Sequence, residues 1–305
     1  MSEDVVAREL ERLSVEEMVA AAAMSRAPRP LRSLVELAAR VPSRRLGRLL
    51  ARFDADVGAL GLARAAAQVI AALGAHVDVY GSPPRGAALV VTNHPGAYDS
   101  LATMAAIGRD DVAMIAAERP FLRAMPRVSE HFVFVADAES GDGEPAAIAR
   151  AAGLRAAVTW LEAGRVLVQY GAGAIERDVR FDPGEPLGEW WPGTGFLAGR
   201  AAKLGIPVVP MFVSGVHSAR AKRLFFVRAA ERRGVTTIAP LVQATMPGFR
   251  DVRVEVRFGD PIDGERITSA RPAAARTDLL RGEVARLAAA SRAPRVGAPG
   301  GRSRP

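Results

Sequence analysis

Cysteine is absent from the 305 residues. That excludes disulfides, Cys-ligated zinc, iron–sulfur clusters and any enzyme-borne thioester chemistry. Histidine is scarce: His76, His94, His131 and His217 are the only four, and no HExxH or His-x3–5-His spacing is present. The chain therefore carries no zinc signature, and no metal is expected. Aromatic residues make up only 6%, so much of the 49% hydrophobic content is alanine rather than large core side chains. Long apolar runs are missing too. A bilayer-spanning helix needs about 18 or more consecutive apolar residues, and the best candidate, Val57 to Ala75, is interrupted by Arg64 and Gln68. The first residues, Met1-Ser2-Glu3-Asp4, are acidic where a signal peptide is basic. These absences predict a cytoplasmic protein that does not cross a membrane.

What is present is a globular composition, with 24% charged residues, in a chain long enough to bury a substantial core. The net charge of +8 is unevenly placed. Arg26, Arg29, Arg32, Arg40, Arg44, Arg45, Arg48 and Arg52 share their stretch with a single acid, Glu36. Arg292, Arg295, Arg302 and Arg304 follow with none. These two segments carry +11, leaving −3 on the rest. Leu46, Leu49, Leu50 and Phe53 recur at helical spacing with Arg44, Arg45, Arg48 and Arg52 interleaved, the pattern of a basic amphipathic helix. Such a helix either lies on an anionic membrane or packs on the body with a solvated Arg face. Nucleic acid is not the expected partner, because interleaved aromatics and recognisable binding modules are missing.

The pattern along the chain divides it into three. Residues 1–75 read as helical, with Pro28, Pro30 and Pro42 cutting the second stretch into short pieces. Residues 76–290 alternate strands and helices, as expected for one α/β domain with a single mixed sheet flanked by helices. Strands are predicted over 76–80, 87–92, 112–116, 132–135, 165–170, 207–213 and 252–258, and the main helices over 99–107, 145–163, 195–204 and 277–290. Residues 291–305 form a basic, Pro- and Gly-rich tail predicted to be disordered.

The informative stretch is Leu89-Val90-Val91-Thr92-Asn93-His94-Pro95-Gly96-Ala97-Tyr98-Asp99-Ser100. A buried strand ends in Asn-His, Pro95-Gly96 forces a turn, and a helix starts near Asp99. A carboxylate five residues on can reach one imidazole nitrogen and leave the other outward as a base. This is the base-and-orienter half of a Ser-His-Asp triad without an enzyme nucleophile. The nucleophile then comes from a substrate hydroxyl or amine. Asp99 is also a favoured N-cap residue and His94 could be a satisfied loop histidine; spacing alone leaves these readings open.

Asn93-His94 followed by Asp99 resembles the Asn-His-x4-Asp motif of the glycerolipid acyltransferase family, which includes glycerol-3-phosphate and 1-acylglycerol-3-phosphate acyltransferases. Further blocks resemble that family in order: Ala116-Ala117-Glu118-Arg119-Pro120-Phe121, Phe132-Val133-Phe134-Val135-Ala136-Asp137, Val166 to Gly173, Gly205 to Met211, and Val254 to Ile262. The resemblance implies an acyltransferase-like fold and a lipid O-acyltransferase of phospholipid or related lipid metabolism. His94 and Asp99 would be catalytic, Asn93, Gly171, Gly173 and Arg177 would bind substrate, and acyl-CoA or acyl carrier protein would serve as acyl donor without a resident cofactor. The protein would sit peripherally on the inner face of the membrane that holds its lipid acceptor.

The pattern breaks where the family binds phosphate. Taking Tyr170 to Ile175 against Phe-Pro-Glu-Gly-Thr-Arg, the Glu falls on Ala172 and the Arg on Ile175, and the Arg of the earlier Phe-Ile-Asp-Arg block falls on Ala138. Arginine suits phosphate through its bidentate fork, so the expected acceptor is a lipid other than a simple glycerol phosphate, unless Arg177 or Arg180 substitutes. Trp190 and Trp191, read as a loop pair, suit a membrane interface or lipid entrance, or packing under that loop. Two other activities fit the same residues: a non-catalytic lipid-binding protein, and a thioesterase or lipid hydrolase in which the dyad activates water.

Overall fold

A computed structural model describes residues 2–21, 29–135, 144–181, 184–232, 238–250 and 252–292. Asp137, Ala138 and the tail beyond Arg292 lie outside the described residues, so the expectations placed on them have no structural counterpart.

Seven strands form one mixed sheet in the order β1-β7-β6-β2-β5-β3-β4, where β1 is Ala75–Tyr80, β2 Ala88–Thr92, β3 Val112–Ala117, β4 Phe132–Val135, β5 Val166–Tyr170, β6 Val208–Ser214 and β7 Val252–Phe258. The five strands from β6 to β4 run parallel; β7 is antiparallel to β6, and β1 is parallel to β7. Strands β2 and β6 are buried at every position, as expected of parallel strands covered on both faces. Alternation along β2 sends Val90 to one side and Leu89 and Val91 to the other. The first face is covered by α1 (Glu3–Ala21), α2 (Arg29–Leu60), α3 (Leu62–Ala72) and α4 (Asp99–Ile107), and the second by α7 (Glu144–Glu162), α8 (Pro192–Lys203), α12 (Gly264–Ser269) and α13 (Ala273–Arg292). Between these sets lie α5 (Pro120–Arg123) and α6 (Pro126–Ser129) after β3, and α9 (Ala219–Arg223), α10 (Phe225–Glu231) and α11 (Ile238–Thr245) after β6. Pro210, which has no N–H to donate, sits in β6 opposite Gly259, one residue past the end of β7, so no ladder bond is lost there, and its carbonyl still accepts from Gly259 N–H at 2.8 Å.

The strands fall within a residue or two of expectation, but the N-terminal region does not. Pro42 does not divide α2, which runs unbroken for 32 residues with Pro30 in its first turn and Pro42 inside. An interior proline costs a helix about 3 kcal/mol, and packing along α1 outweighs it. The two helices meet at Gly47, where a Cβ would lie 2.7 Å from the Ala7 carbonyl oxygen. Val6, Leu10, Phe53 and Leu62 belong to the same buried cluster as Val90 and Tyr98, so α1, α2 and α3 share the core of the α/β body. Of the two readings of the basic helix, the apolar side is taken by the body: Phe53 is buried and Leu49 and Leu50 pack against the core, while Arg40, Arg44, Arg45, Arg48 and Arg52 are exposed. Leu37 and Val41, each more than 60% exposed, lie on that Arg face.

The course of α2 is fixed at two points. Its end, at Gly61, abuts Asp110 at the amino edge of the parallel strands. Asp54 accepts from Arg127 N–H at 2.8 Å and Val128 N–H at 3.0 Å in α6, the short helix that leads into β4. Among the described residues no helix is long and apolar enough to cross a membrane.

Candidate active site

Strand β2 is the middle strand of the seven, and the loop after it leads to α4 on one face of the sheet. The loop after the neighbouring β5 leads to α8 on the other face. Loops that leave adjacent strands for opposite faces open a crevice at their carboxyl ends, where open α/β sheets place ligands. His94 follows β2 into this crevice, and Gly171–Glu176 follow β5.

The turn after β2 is held in an unusual backbone conformation. Gly96 has φ 81° and Ala97 has φ 53°, the one non-glycine residue with positive φ among those described. A β-carbon pays for this region sterically, and such outliers cluster where structure over-determines a functional loop. The over-determination is visible in Asp99. Its Oδ2 accepts from Gly96 N–H at 2.8 Å and lies 2.6 Å from His94 Nδ1, and its Oδ1 accepts from Ser100 Oγ at 3.1 Å. Asp99 is buried and is the first residue of α4, with Tyr98 in the N-cap position; its carboxylate serves the turn and the imidazole rather than capping the helix. Ser100 Oγ is 2.9 Å from Tyr170 Oη, and the Tyr170 ring lies beneath the His94 ring with centroids 4.4 Å apart.

With Nδ1–H donated to Asp99, His94 presents Nε2 as its basic nitrogen. The His94 side chain is 27% exposed and that of Asp99 2%, so the base is reachable and its orienter is not. Burial alone would lower the His94 pKa, but the Asp99 charge and hydrogen bond, together with the charge of Glu176, raise it above the ordinary value. Burial pushes the Tyr170 phenol well up, so it stays neutral.

Sequence reasoning did not single out Glu176. Its Oε2 accepts from His94 N–H at 2.9 Å, its Oε1 from Gly188 N–H at 2.7 Å and Trp190 Nε1–H at 3.2 Å, and its own N–H donates to the His94 carbonyl at 2.7 Å. Burial raises its pKa against the three hydrogen bonds that favour the carboxylate. One acid thus joins the turn after β2, the segment after β5 and the loop before α8. The available signal was a lone acid between outward Ile175 and Arg177 just past a buried strand.

The other expected site residues are placed as follows. Asn93 is fully buried, donating from Nδ2 to the Val213 carbonyl and accepting at Oδ1 from Val213 N–H, both at 2.8 Å. Its amide carries the β2–β6 pairing beyond Thr92. Gly171 is buried against Trp190, whose ring would lie 2.0 Å from an added Cβ. Gly173 is exposed, with φ 64° and the Trp191 indole over it. Arg177 points outward, its Nη1 near Gly184, and Arg180 bonds the Arg253 carbonyl at 2.9 Å. The Trp pair divides: Trp190 is buried on Glu176, whereas Trp191 is 47% exposed. Ala172 packs in the core with Trp190, and Ile175, 51% exposed, lies against Gly96 beside His94. Trp191, over Gly173, and Phe196 in α8 are exposed as well.

Among the described residues no group of His, Asp and Glu could hold a metal ion. His131 Nδ1 is bonded to the Val112 carbonyl at 3.0 Å, and His76 pairs with Asp78 at 3.3 Å. His217, just past the carboxyl end of β6, is buried with its ring edge-on to Phe181, and His94 is the partly exposed imidazole after β2.

No protein-family model matches the chain, and no curated protein matches it. Among solved structures, the crystal structure of the 1-acyl-sn-glycerophosphate (LPA) acyltransferase PlsC from Thermotoga maritima aligns with 96% of this chain and 98% of that one, at 15% identity and a TM-score of 0.47. At that distance the chemistry of this chain rests on its own residues.

Proposed function

We propose that the protein is a lipid acyltransferase that moves an acyl group from a thioester to a hydroxyl of a membrane lipid. The observation that carries this reading is the 2.6 Å contact between His94 Nδ1 and buried Asp99, with the imidazole partly exposed in the crevice. His94 Nε2 takes the proton from the acceptor hydroxyl as the oxygen attacks the thioester carbonyl. Asp99 holds the tautomer and stabilises the imidazolium. Collapse of the tetrahedral intermediate expels the thiolate, which takes the proton back from Nε2. General-base assistance of this kind contributes about 10²–10⁴-fold, and positioning supplies much of the rest. The donor would be acyl-CoA or an acyl carrier protein.

The acceptor in this reading is not a simple glycerol phosphate. Exposed Ile175 lies against the His94 turn where the family resemblance expects an arginine. Trp191 and Phe196 extend the apolar character. Membrane association from the inner face would draw on the Arg face of α2, where exposed Arg40, Arg44, Arg45 and Arg48 accompany exposed Leu37 and Val41. Each such arginine contributes on the order of 1 kcal/mol near an anionic surface.

The test is a competition between acceptors. Purified protein given acyl-CoA or acyl carrier protein should acylate uncharged or non-phosphate lipid hydroxyls in preference to lysophosphatidate. A clear preference for lysophosphatidate would reject the acceptor assignment. Release of free fatty acid alone would favour hydrolysis.

A further inference from the structure

A second surface element rises from the same edge of the sheet as His94. Strand β6 pairs with Asn93 through Val213, and four residues after Ser214 the chain enters α9. Helices α9 and α10 pack inward on a small core of their own, Ala221 and Val227 with Ala239 and Val242 of α11, separate from the two cores of the sheet. Their inner apolar residues are therefore satisfied. Phe225 and Phe226 are left outside, 81% and 41% exposed, edge-to-face with centroids 5.6 Å apart.

The charge around that pair has one sign. Lys222 and Glu231 neutralise each other at 2.9 Å. Arg220, Arg223, Arg228 and Arg232 are all exposed, and no acid other than Glu231 occurs between residues 219 and 232. Paired aromatics in a ring of arginines have the chemistry of an interfacial anchor: the rings enter the boundary of the acyl chains while the guanidinium groups stay at the phosphates. An acidic exposed residue would have been needed to suit a basic or mixed protein surface. The position supplies a purpose, since docking here turns the carboxyl edge of the sheet, and with it the mouth of the His94 crevice, toward the bilayer.

We infer that α9–α10 is an anionic-membrane anchor, separate from α1–α2, which faces the His94 crevice to the lipid surface through Phe225 and Phe226. The inference deepens the lipid-acceptor reading by orienting the site, but its test needs no turnover and so fails or succeeds independently of that reading.

The absence of cysteine makes single-site labelling direct. A polarity-sensitive fluorophore is attached to Ala229→Cys, exposed on α10, and, as a control, to Gly86→Cys, which lies in open space just before β2 at the opposite edge of the sheet. Vesicles of phosphatidylglycerol and phosphatidylcholine are then added. A blue shift for the label at 229 and none for the label at 86 is the expected result, weaker with phosphatidylcholine alone and weakened by added salt. Adding Phe225→Ala and Phe226→Ala should abolish the shift and weaken vesicle binding by about tenfold or more, with an unchanged melting temperature because both rings are exposed. Vesicle binding without a shift at 229, equal shifts at 229 and 86, or no vesicle binding would each overturn the inference. So would a shift that grows with protein concentration in the absence of vesicles alongside a dimer in light scattering, which would assign the rings to a second copy of the chain.

Discussion

Glu176 and His94 are tied to each other twice: the His94 N–H donates to Glu176 Oε2 at 2.9 Å, and the Glu176 N–H donates to the His94 carbonyl at 2.7 Å. Two loops from adjacent strands are thereby locked in one register, and the position of the imidazole depends on both.

Removing that carboxylate leaves three donors without their acceptor, at His94, Gly188 and Trp190. Each unsatisfied buried donor costs about 1–3 kcal/mol. Glu176→Ala should therefore lower the melting temperature measurably and reduce acyl transfer with it. Glu176→Gln keeps an acceptor oxygen but sets an NH2 against an N–H on one side, so its loss should be partial. A variant with wild-type stability and activity would show that the double tie is not needed.

The pH dependence follows from the raised pKa of His94. The base acts only when neutral, so the acid limb of kcat/KM should rise through an apparent pKa above the ordinary value, about 6.5. The same shift stabilises the fold while the imidazole is protonated. That contribution is fully present below the unfolded value and is lost as pH rises through the folded one. Asp99→Asn removes the larger charge and should bring the His94 titration, followed by NMR, down. A titration that stays in place after that change would contradict the assigned cause.

Asp54 offers a test of the fold alone. It is buried and accepts from two backbone N–H groups of α6, fixing α2 to the segment that enters β4. Asp54→Ala should destabilise the protein by about 1–3 kcal/mol in chemical denaturation. Asp54→Asn should cost less because one acceptor oxygen remains.

The exposed arginines of α2 should govern attachment without touching chemistry. Replacing Arg44, Arg45 and Arg48 by Glu should sharply reduce cosedimentation with anionic vesicles, leaving turnover of a short-chain, water-soluble acceptor unchanged. Unaltered vesicle binding would remove α2 from the membrane contact.

The sheet was legible in the sequence because β2, β5 and β6 are continuous apolar runs, and buried parallel strands require them. His94 and Asp99 were legible because they sit five apart across a Pro-Gly turn at the end of such a run. Other features were hidden for definite physical reasons. Pro42 suggested a break, yet packing against α1 carries α2 through it. Asn93 and Gly171 carry substrate roles only through the family resemblance; the long-range contacts of Asn93 with Val213 and of Gly171 with the Trp190 ring leave no local pattern in the sequence. Glu176 has no local periodicity to reveal it, since its partners lie 82 and 12 residues away. The α9–α11 region escaped because its short helices serve a small core of four buried residues rather than the sheet.

The central claim is that His94 activates an acceptor hydroxyl for acyl transfer from a thioester. The most direct measurement incubates wild type and His94→Ala with an isotope-labelled acyl thioester and membrane lipids, and reads every lipid that gains the label by mass spectrometry. The expected result is a labelled lipid ester from wild type and a loss of at least about 10²-fold in the variant, with both proteins equally folded. Equal labelling by the two proteins, or labelled free fatty acid as the sole product of wild type, would contradict it.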